Sequence, residues 1–452
     1  MYPTHSLLEK IKLYSIILWP ILVTQISYHA MNVIDTMMSG RAGTTDLAGV
    51  AVGSSLWAPI LTGFNGILMA VTPIIGHLLG KGEKQEISRS VLQALYLSVV
   101  LAVVVYVAGV LFLPSILSLM QLEAEVAYIA KHYLIGLSIG LVPLFASNVL
   151  RFFFDAQGYT RITMVILLIT LPISAFLNYL LIFGSFGFPR LGGIGAGYAT
   201  GLTYWIIFGL SLLMTKRIPS IRAYRLFSHW IRPSLSAWKA QLALGLPMGL
   251  SIFFEASIFS FVTLLVSRMF TTDIIAAHQA ALNFSSLLFM IPLSMSMALT
   301  IVVAYEMGAG RVKDAKQYSW MGIALSMLII TIASVFLYFL REPVAYLYTD
   351  HPDVVALAMS FFLFAIFYQL SDAAQATLQG VLRGYKDATV PFVIALISYW
   401  GIGIPSGYWL ATQTNLGPFG FWIGIIIGLT SAAIGFWIRL YYINRRFSSL
   451  RS

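Results

Sequence analysis

Three acidic residues stand where acids are costly. Of the seventeen Asp and Glu in the chain, fourteen fall between apolar runs or at their ends; Asp35, Glu255 and Asp372 fall inside them. If those runs cross a bilayer, each carboxylate costs at least about 2.5 kcal/mol even on the lenient insertion scale. It persists there by facing a cavity, binding a cation or holding a proton. No Lys or Arg falls at comparable depth, so a salt bridge does not explain them. The plain structural alternative is a hydrogen bond between helices made by a protonated carboxyl. Three such acids together favour a cation or proton site.

Depth sharpens the reading. Asp35 lies four residues from the outer end of its run, Asn178 six and Thr200 seven. At 1.5 Å rise per residue the three share one level to within about a helical turn. Carboxylate, amide and hydroxyl oxygens at one depth suit a small hard cation or a proton relay. Glu255 and Asp372 lie deeper, and Tyr368, one turn from Asp372 on the same helix face, can offer a ring or hydroxyl to a cation. Na+ prefers several oxygens at fixed distances, which points to Glu255 with Asp372 and Tyr368; Asp35 suits a proton or a substrate contact. His278 and Gln279 could line a substrate path, with an interface or capping position the equal alternative. His29 reads as a packed or interfacial histidine, and Arg151 with Asp155 as an i,i+4 pair at the interface.

The elements that must position these groups follow from composition. The chain of 452 residues is 59% apolar and 10% charged, with a mean hydropathy of +0.86. A soluble protein carries about a quarter charged residues, so the bilayer is the natural solvent. Twelve apolar runs of spanning length fall at about 13–39, 47–79, 88–113, 125–150, 162–184, 193–215, 240–266, 273–305, 317–340, 353–382, 390–411 and 417–440. The first is too long for a signal-peptide core and reads as a retained helix. Alternate loops and the termini hold 22 of the 27 Lys and Arg, and the opposite side holds five. Positive-inside bias then places both termini and the basic 216–239 segment in the cytoplasm. The net charge of +10 therefore points to anionic lipid rather than nucleic acid.

The two halves resemble each other. Met69-Ala-Val-Thr72 before Gly80-Lys-Gly82 recurs as Met297-Ala-Leu-Thr300 before Gly308-Ala-Gly310. Gly158-Tyr159 recurs as Gly384-Tyr385, and Leu191-Gly192 with Gly195 recurs as Leu416-Gly417 with Gly420. The offsets of 228, 226 and 225 sit at half the chain length. The expected organisation is an N-terminal lobe at 1–215, a cytoplasmic linker at 216–239 and a C-terminal lobe at 240–452. Six helices per copy make a parallel repeat, a transporter architecture. Gly197 with Gly201 and Gly424 with Gly428 are small-xxx-small pairs, read as close helix packing. There is no HExxH, GxSxG or Walker sequence, so the chain is read as no enzyme and no ATPase, driven by an ion gradient. The absence of Cys excludes thiolate metal sites and disulfides.

The sequence resembles the multidrug and toxic compound extrusion (MATE) family, in its NorM-type branch. The matching stretches include Pro20 through Asp35-Thr-Met-Met-Ser-Gly40, Asp155-Ala-Gln-Gly-Tyr-Thr-Arg161 and Gly245-Leu-Pro-Met-Gly through Glu255. Ala276-Ala-His-Gln-Ala-Ala-Leu-Asn-Phe, Gln369-Leu-Ser-Asp372-Ala-Ala-Gln and Gly380-Val-Leu-Arg-Gly-Tyr-Lys-Asp387 complete the set. The resemblance implies an all-α integral membrane protein with twelve transmembrane helices in two pseudo-symmetric six-helix lobes. It implies export of organic cations and amphipathic drugs in exchange for Na+ or H+, from a bacterial-type inner membrane, by a monomer without cofactors. Asp35, Glu255, Asp372 and Tyr368 match the family's membrane acids and aromatic. Asp35, Asn178 and Thr200 match a first-lobe Na+ site, but its second helix-five acid falls at Ile182 here. A lipid-linked saccharide flippase of the same superfamily is the alternative; its anionic substrates would call for a basic cavity, and this membrane interior carries acids.

Overall fold

The computed structural model describes residues 1–450, and among them every regular element is helical. In chain order these are α1 (Leu7–Ala42), α2 (Thr44–Leu68), α3 (Val71–Lys81), α4 (Lys84–Leu119), α5 (Ala124–Ser138), α6 (Leu141–Ala156), α7 (Thr160–Phe183) and α8 (Gly193–Arg217). The short α9 (Pro219–Arg222) precedes α10 (Leu235–Met269), α11 (Thr272–Gly308) and α12 (Val312–Phe339). There follow the short α13 (Arg341–Tyr346), α14 (Pro352–Gly384), α15 (Thr389–Leu396), α16 (Ile404–Gln413) and α17 (Pro418–Ser449). A π-helical turn, Ile397–Gly403, joins α15 to α16.

Ten of these segments are long and apolar enough to cross a membrane, counting α2 with α3 and α15 with α16 as single spans. The α5–α6 pair passes the same test across a 52° bend and occupies the expected 125–150 run. The expected 13–39 run is α1. It has 36 residues, but Gln25, Ser27, His29, Asn32 and Asp35 dilute its apolar character.

Two compact units emerge, Trp19–Gly249 with Met1 and Leu250–Ser452 with Tyr2–Leu18. Both changeovers fall inside a helix, α1 and α10, within three residues of Pro20 and Pro247. The 216–239 segment is fastened along α4: Ser88, Gln93 and Tyr96 donate to the carbonyls of Tyr224, Arg232 and Ile231 at 2.8–2.9 Å. Gln93 also accepts from the Ser234 amide at 2.9 Å.

The repeated motifs adopt repeated geometry within the two units. Gly82 and Gly310 end their helices at φ 77° and 78°, each in a turn closed by a hydrogen bond from the following amide. Gly192 and Gly417 precede α8 and α17 at φ 64° and 58°, a region L side chains rarely adopt. Helix contacts repeat as well. A Cβ on Gly201 would lie 2.6 Å from the Gly136 carbonyl oxygen of α5, and one on Gly424 2.5 Å from the Gly407 nitrogen of α16. The small-residue pairs therefore bring backbones together, as helix packing inside a bilayer requires. The Gly158 and Gly384 copies differ: Gly158 is left-handed at φ 87°, whereas Gly384 ends α14 and Lys386 takes the positive φ of 60°.

Candidate functional site

In the first unit, α1, α7 and α8 bring together the three groups that sequence depth had placed on one level. Asp35 accepts a short hydrogen bond from the Asn178 amide and a second, at 3.1 Å, from the Thr200 hydroxyl. Thr200 also lies 2.8 Å from the Ala196 carbonyl, the ordinary resting bond of a helical threonine. Asn178 is fully buried, and its Oδ1 has no partner. A buried acceptor left unsatisfied costs about 1–3 kcal/mol. Turned about its Cβ–Cγ bond, Asn178 would aim that oxygen toward the Asp35 carboxylate, an arrangement that is favourable only with a cation or a proton between the two oxygens. Ile182, one turn along α7, is fully buried and adds only hydrocarbon.

In the second unit, Glu255 of α10 and Asp372 of α14 are joined by a residue the depth argument did not single out. The Gln375 amide donates to Glu255 Oε1 at 2.7 Å and to Asp372 Oδ1 at 2.7 Å. Its carbonyl oxygen accepts from the Tyr399 hydroxyl at 2.6 Å. An amide nitrogen has two hydrogens, and here each carboxyl takes one. Tyr399 sits in the π-helical turn, where the wider backbone aims its buried ring at Gln375. Tyr368 packs edge-on against Phe259 and Trp422 beside the cluster.

Arg383, which the sequence pattern places in a loop after helix ten, lies inside α14, is 6% exposed, and attracts Glu255 electrostatically. It lies in the last turn of α14, about three turns beyond Asp372, and so does not share the depth of the acids. Arg151 and Asp155 do pair along α6, at 3.6 Å, and both are buried. The Arg151 guanidinium stacks near the rings of Tyr28 and Phe152.

His278 and Gln279 part company. His278 is fully buried: its Nδ1 accepts from Trp422 at 2.9 Å, so the ring hydrogen sits on Nε2 and donates to Thr263 at 3.0 Å. Gln279 faces outward. His278 thus ties α11 to α17 and α10, and the geometry gives it no opening toward a ligand. Among the described residues no three His, Cys, Asp or Glu converge as a metal site. Each cluster instead offers carboxylate, amide and hydroxyl groups.

Comparison with known proteins agrees with this architecture. A family model described as MatE matches residues 20–180 and 247–409. The probable multidrug resistance protein NorM of Oceanobacillus iheyensis is 54% identical over 446 residues, covering 99% of this chain and all of that protein. The protein of the same description from Bacillus subtilis is 49% identical over 450 residues, 99% of both chains. Among solved structures, the eukaryotic MATE transporter AtDTX14 superposes with a TM-score of 0.86 over 98% of both chains at 23% identity. An outward-facing multidrug resistance MATE transporter of the MOP superfamily does so at 0.86 and 21% identity, covering 98% of this chain and 97% of that one. On full-length identity, matched family model and shared fold, the chain belongs to the MATE family of multi-pass membrane transporters.

Proposed function

We propose that this protein is a secondary active multidrug efflux antiporter, exporting organic cations and amphipathic drugs in exchange for Na+ or H+ by alternating access. The lobes 1–215 and 240–452, linked by 216–239, would carry one ion-coupling cluster each. The observation that carries the reading is that both membrane clusters hold their carboxyls by neutral donors, Asn178 and Thr200 in one and Gln375 in the other. Neutral donors leave a carboxylate free to exchange its partner for a cation, a proton or a cationic drug, whereas a direct salt bridge would hold it. Two carboxyls meeting at Gln375, with Tyr368 alongside, favour Na+ on Glu255 and Asp372. Asp35, without a second acid at Ile182, suits a proton or the substrate.

The 22 to 5 division of basic residues supports an inner-membrane orientation with both termini cytoplasmic. The names of its relatives, multidrug resistance proteins, support drugs as cargo. The test is drug efflux from proteoliposomes under an imposed Na+ gradient at equal pH. Efflux driven by Na+ is expected, and efflux that ignores Na+ but follows a pH gradient overturns the Na+ assignment.

A further inference from the structure

A groove of about 510 Å³ runs between α12, α14 and α17, lined by Trp320, Met327, Ser371, Leu378, Thr430 and Trp437. It runs along α14 beside the acid cluster: Leu370, Ser371, Ala374 and Leu378 line it, while Asp372 and Gln375 of the same helix are buried. From Leu370 to Leu378 it extends about 12 Å along the helix. The two hydroxyls in its wall, Ser371 and Thr430, bond each other at 2.9 Å. What remains is hydrocarbon.

One end of the groove is different. The rings of Trp320 and Trp437 meet edge to face at 6.4 Å, and both stay about half exposed. Tryptophan is enriched at the level of lipid headgroups. Just beyond lies a cationic rim. Lys316, one turn before Trp320, reaches across to the Ser448 hydroxyl at 3.0 Å, and the exposed Arg445 and Arg446 follow Trp437 on α17. None of the three joins an ion pair among the described residues, while nearby Asp314 and Asp387 are taken by Lys10 and Arg439.

We propose that this groove is a binding site for one anionic glycerophospholipid. An acyl chain fills the slot past Ser371 and Thr430, the glycerol region lies at the tryptophan pair, and the phosphate meets Lys316 and Arg445. A drug cation would be repelled by that rim, and a zwitterionic lipid would gain less from it.

The test uses the full-length purified protein and phosphatidylglycerol carrying a photoreactive group in its acyl chain, beside phosphatidylcholine with the same chain. Labelling should concentrate in 320–327, 370–378 and 430–437, with the anionic lipid ahead by about fivefold per basic side chain engaged. Lys316→Gln with Arg445→Gln should bring the anionic lipid down to the zwitterionic level. Ala374→Phe, which fills the slot, should remove labelling by both. A melting curve shows whether Ala374→Phe folds; the rim variant, altered only near the surface, decides the matter if it does not. Equal labelling by the two lipids, or labelling spread evenly over α4 and α7 as well, overturns the proposal.

Discussion

Gln375 is the most exposed point of the coupling argument. Replacing it with Leu keeps the approximate size and removes both bonds of its amide nitrogen, at 2.7 Å to Glu255 and 2.7 Å to Asp372. A hydrogen bond to a charged group contributes about 1.5–3 kcal/mol, so two contribute about 3–6 kcal/mol to any step in which both acids are ionised. At a factor of ten per 1.4 kcal/mol, that is about two to four orders of magnitude. Tyr399→Phe is the graded companion. It spares the amide but strips the 2.6 Å donor from Gln375 Oε1, leaving one buried acceptor unpaired at about 1–3 kcal/mol.

The expected order of efflux rates is wild type, then Tyr399→Phe, then Gln375→Leu, measured as initial dye efflux in a pump-deficient host at matched membrane abundance. Melting in detergent separates coupling from folding, because a lost fold would lower both readouts together. Efflux by Gln375→Leu within about threefold of wild type, less than 0.7 kcal/mol, would refute the view that this amide controls the pair.

Asp35→Asn, Glu255→Gln and Asp372→Asn should each abolish or strongly depress efflux at normal abundance; normal efflux by all three removes the case for a coupling role. A cysteine introduced at Arg225, the only one in the chain, should resist an impermeant thiol reagent applied to intact cells, since labelling from outside would reverse the orientation. Gly197→Ala should lower thermal stability by about 1–3 kcal/mol, because its new methyl would sit 2.9 Å from Tyr133 Cα. Gly209→Ala on the same helix meets nothing within 4 Å and should leave the melting temperature unchanged or slightly raised. Lys10→Met strips Asp314 of its 2.9 Å partner; with that carboxylate 26% exposed, a loss of about 1–3 kcal/mol is expected, partly restored by adding Asp314→Asn.

What sequence could and could not show follows from what each signal measures. Hydropathy reports the solvent, so ten spans and the α5–α6 pair, bent by 52°, were legible; α1 forms a helix over the expected run, but its polar residues leave it outside that set. The first cluster was legible because Asp35, Asn178 and Thr200 are each conspicuous in an apolar helix and lie close to a countable end. Gln375 was not, because α14 also carries Gln369 and Gln379, and only the structure separates their roles: Gln369 bonds the Ser285 carbonyl, and Gln375 the two acids. Tyr399 gave still less warning. Among 63 aromatics nothing marks it out, and the π-helical turn that aims it has no signature in an otherwise continuous apolar run.

The surroundings of His278 and Arg383 were hidden for a related reason. Sequence depth locates a residue along the membrane normal but says nothing of rotation about the helix axis. Rotation buries His278 against Trp422 while Gln279 faces outward, and it turns Arg383 into the packed interior rather than toward a loop. The same variable separates, along α14, the buried Asp372 and Gln375 from Ser371 and Ala374, which line the groove. A helix that carries a buried carboxyl and also borders a lipid-sized slot is under two constraints. Substitutions at 371 and 374 should therefore alter lipid binding without touching the hydrogen bonds at 372 and 375.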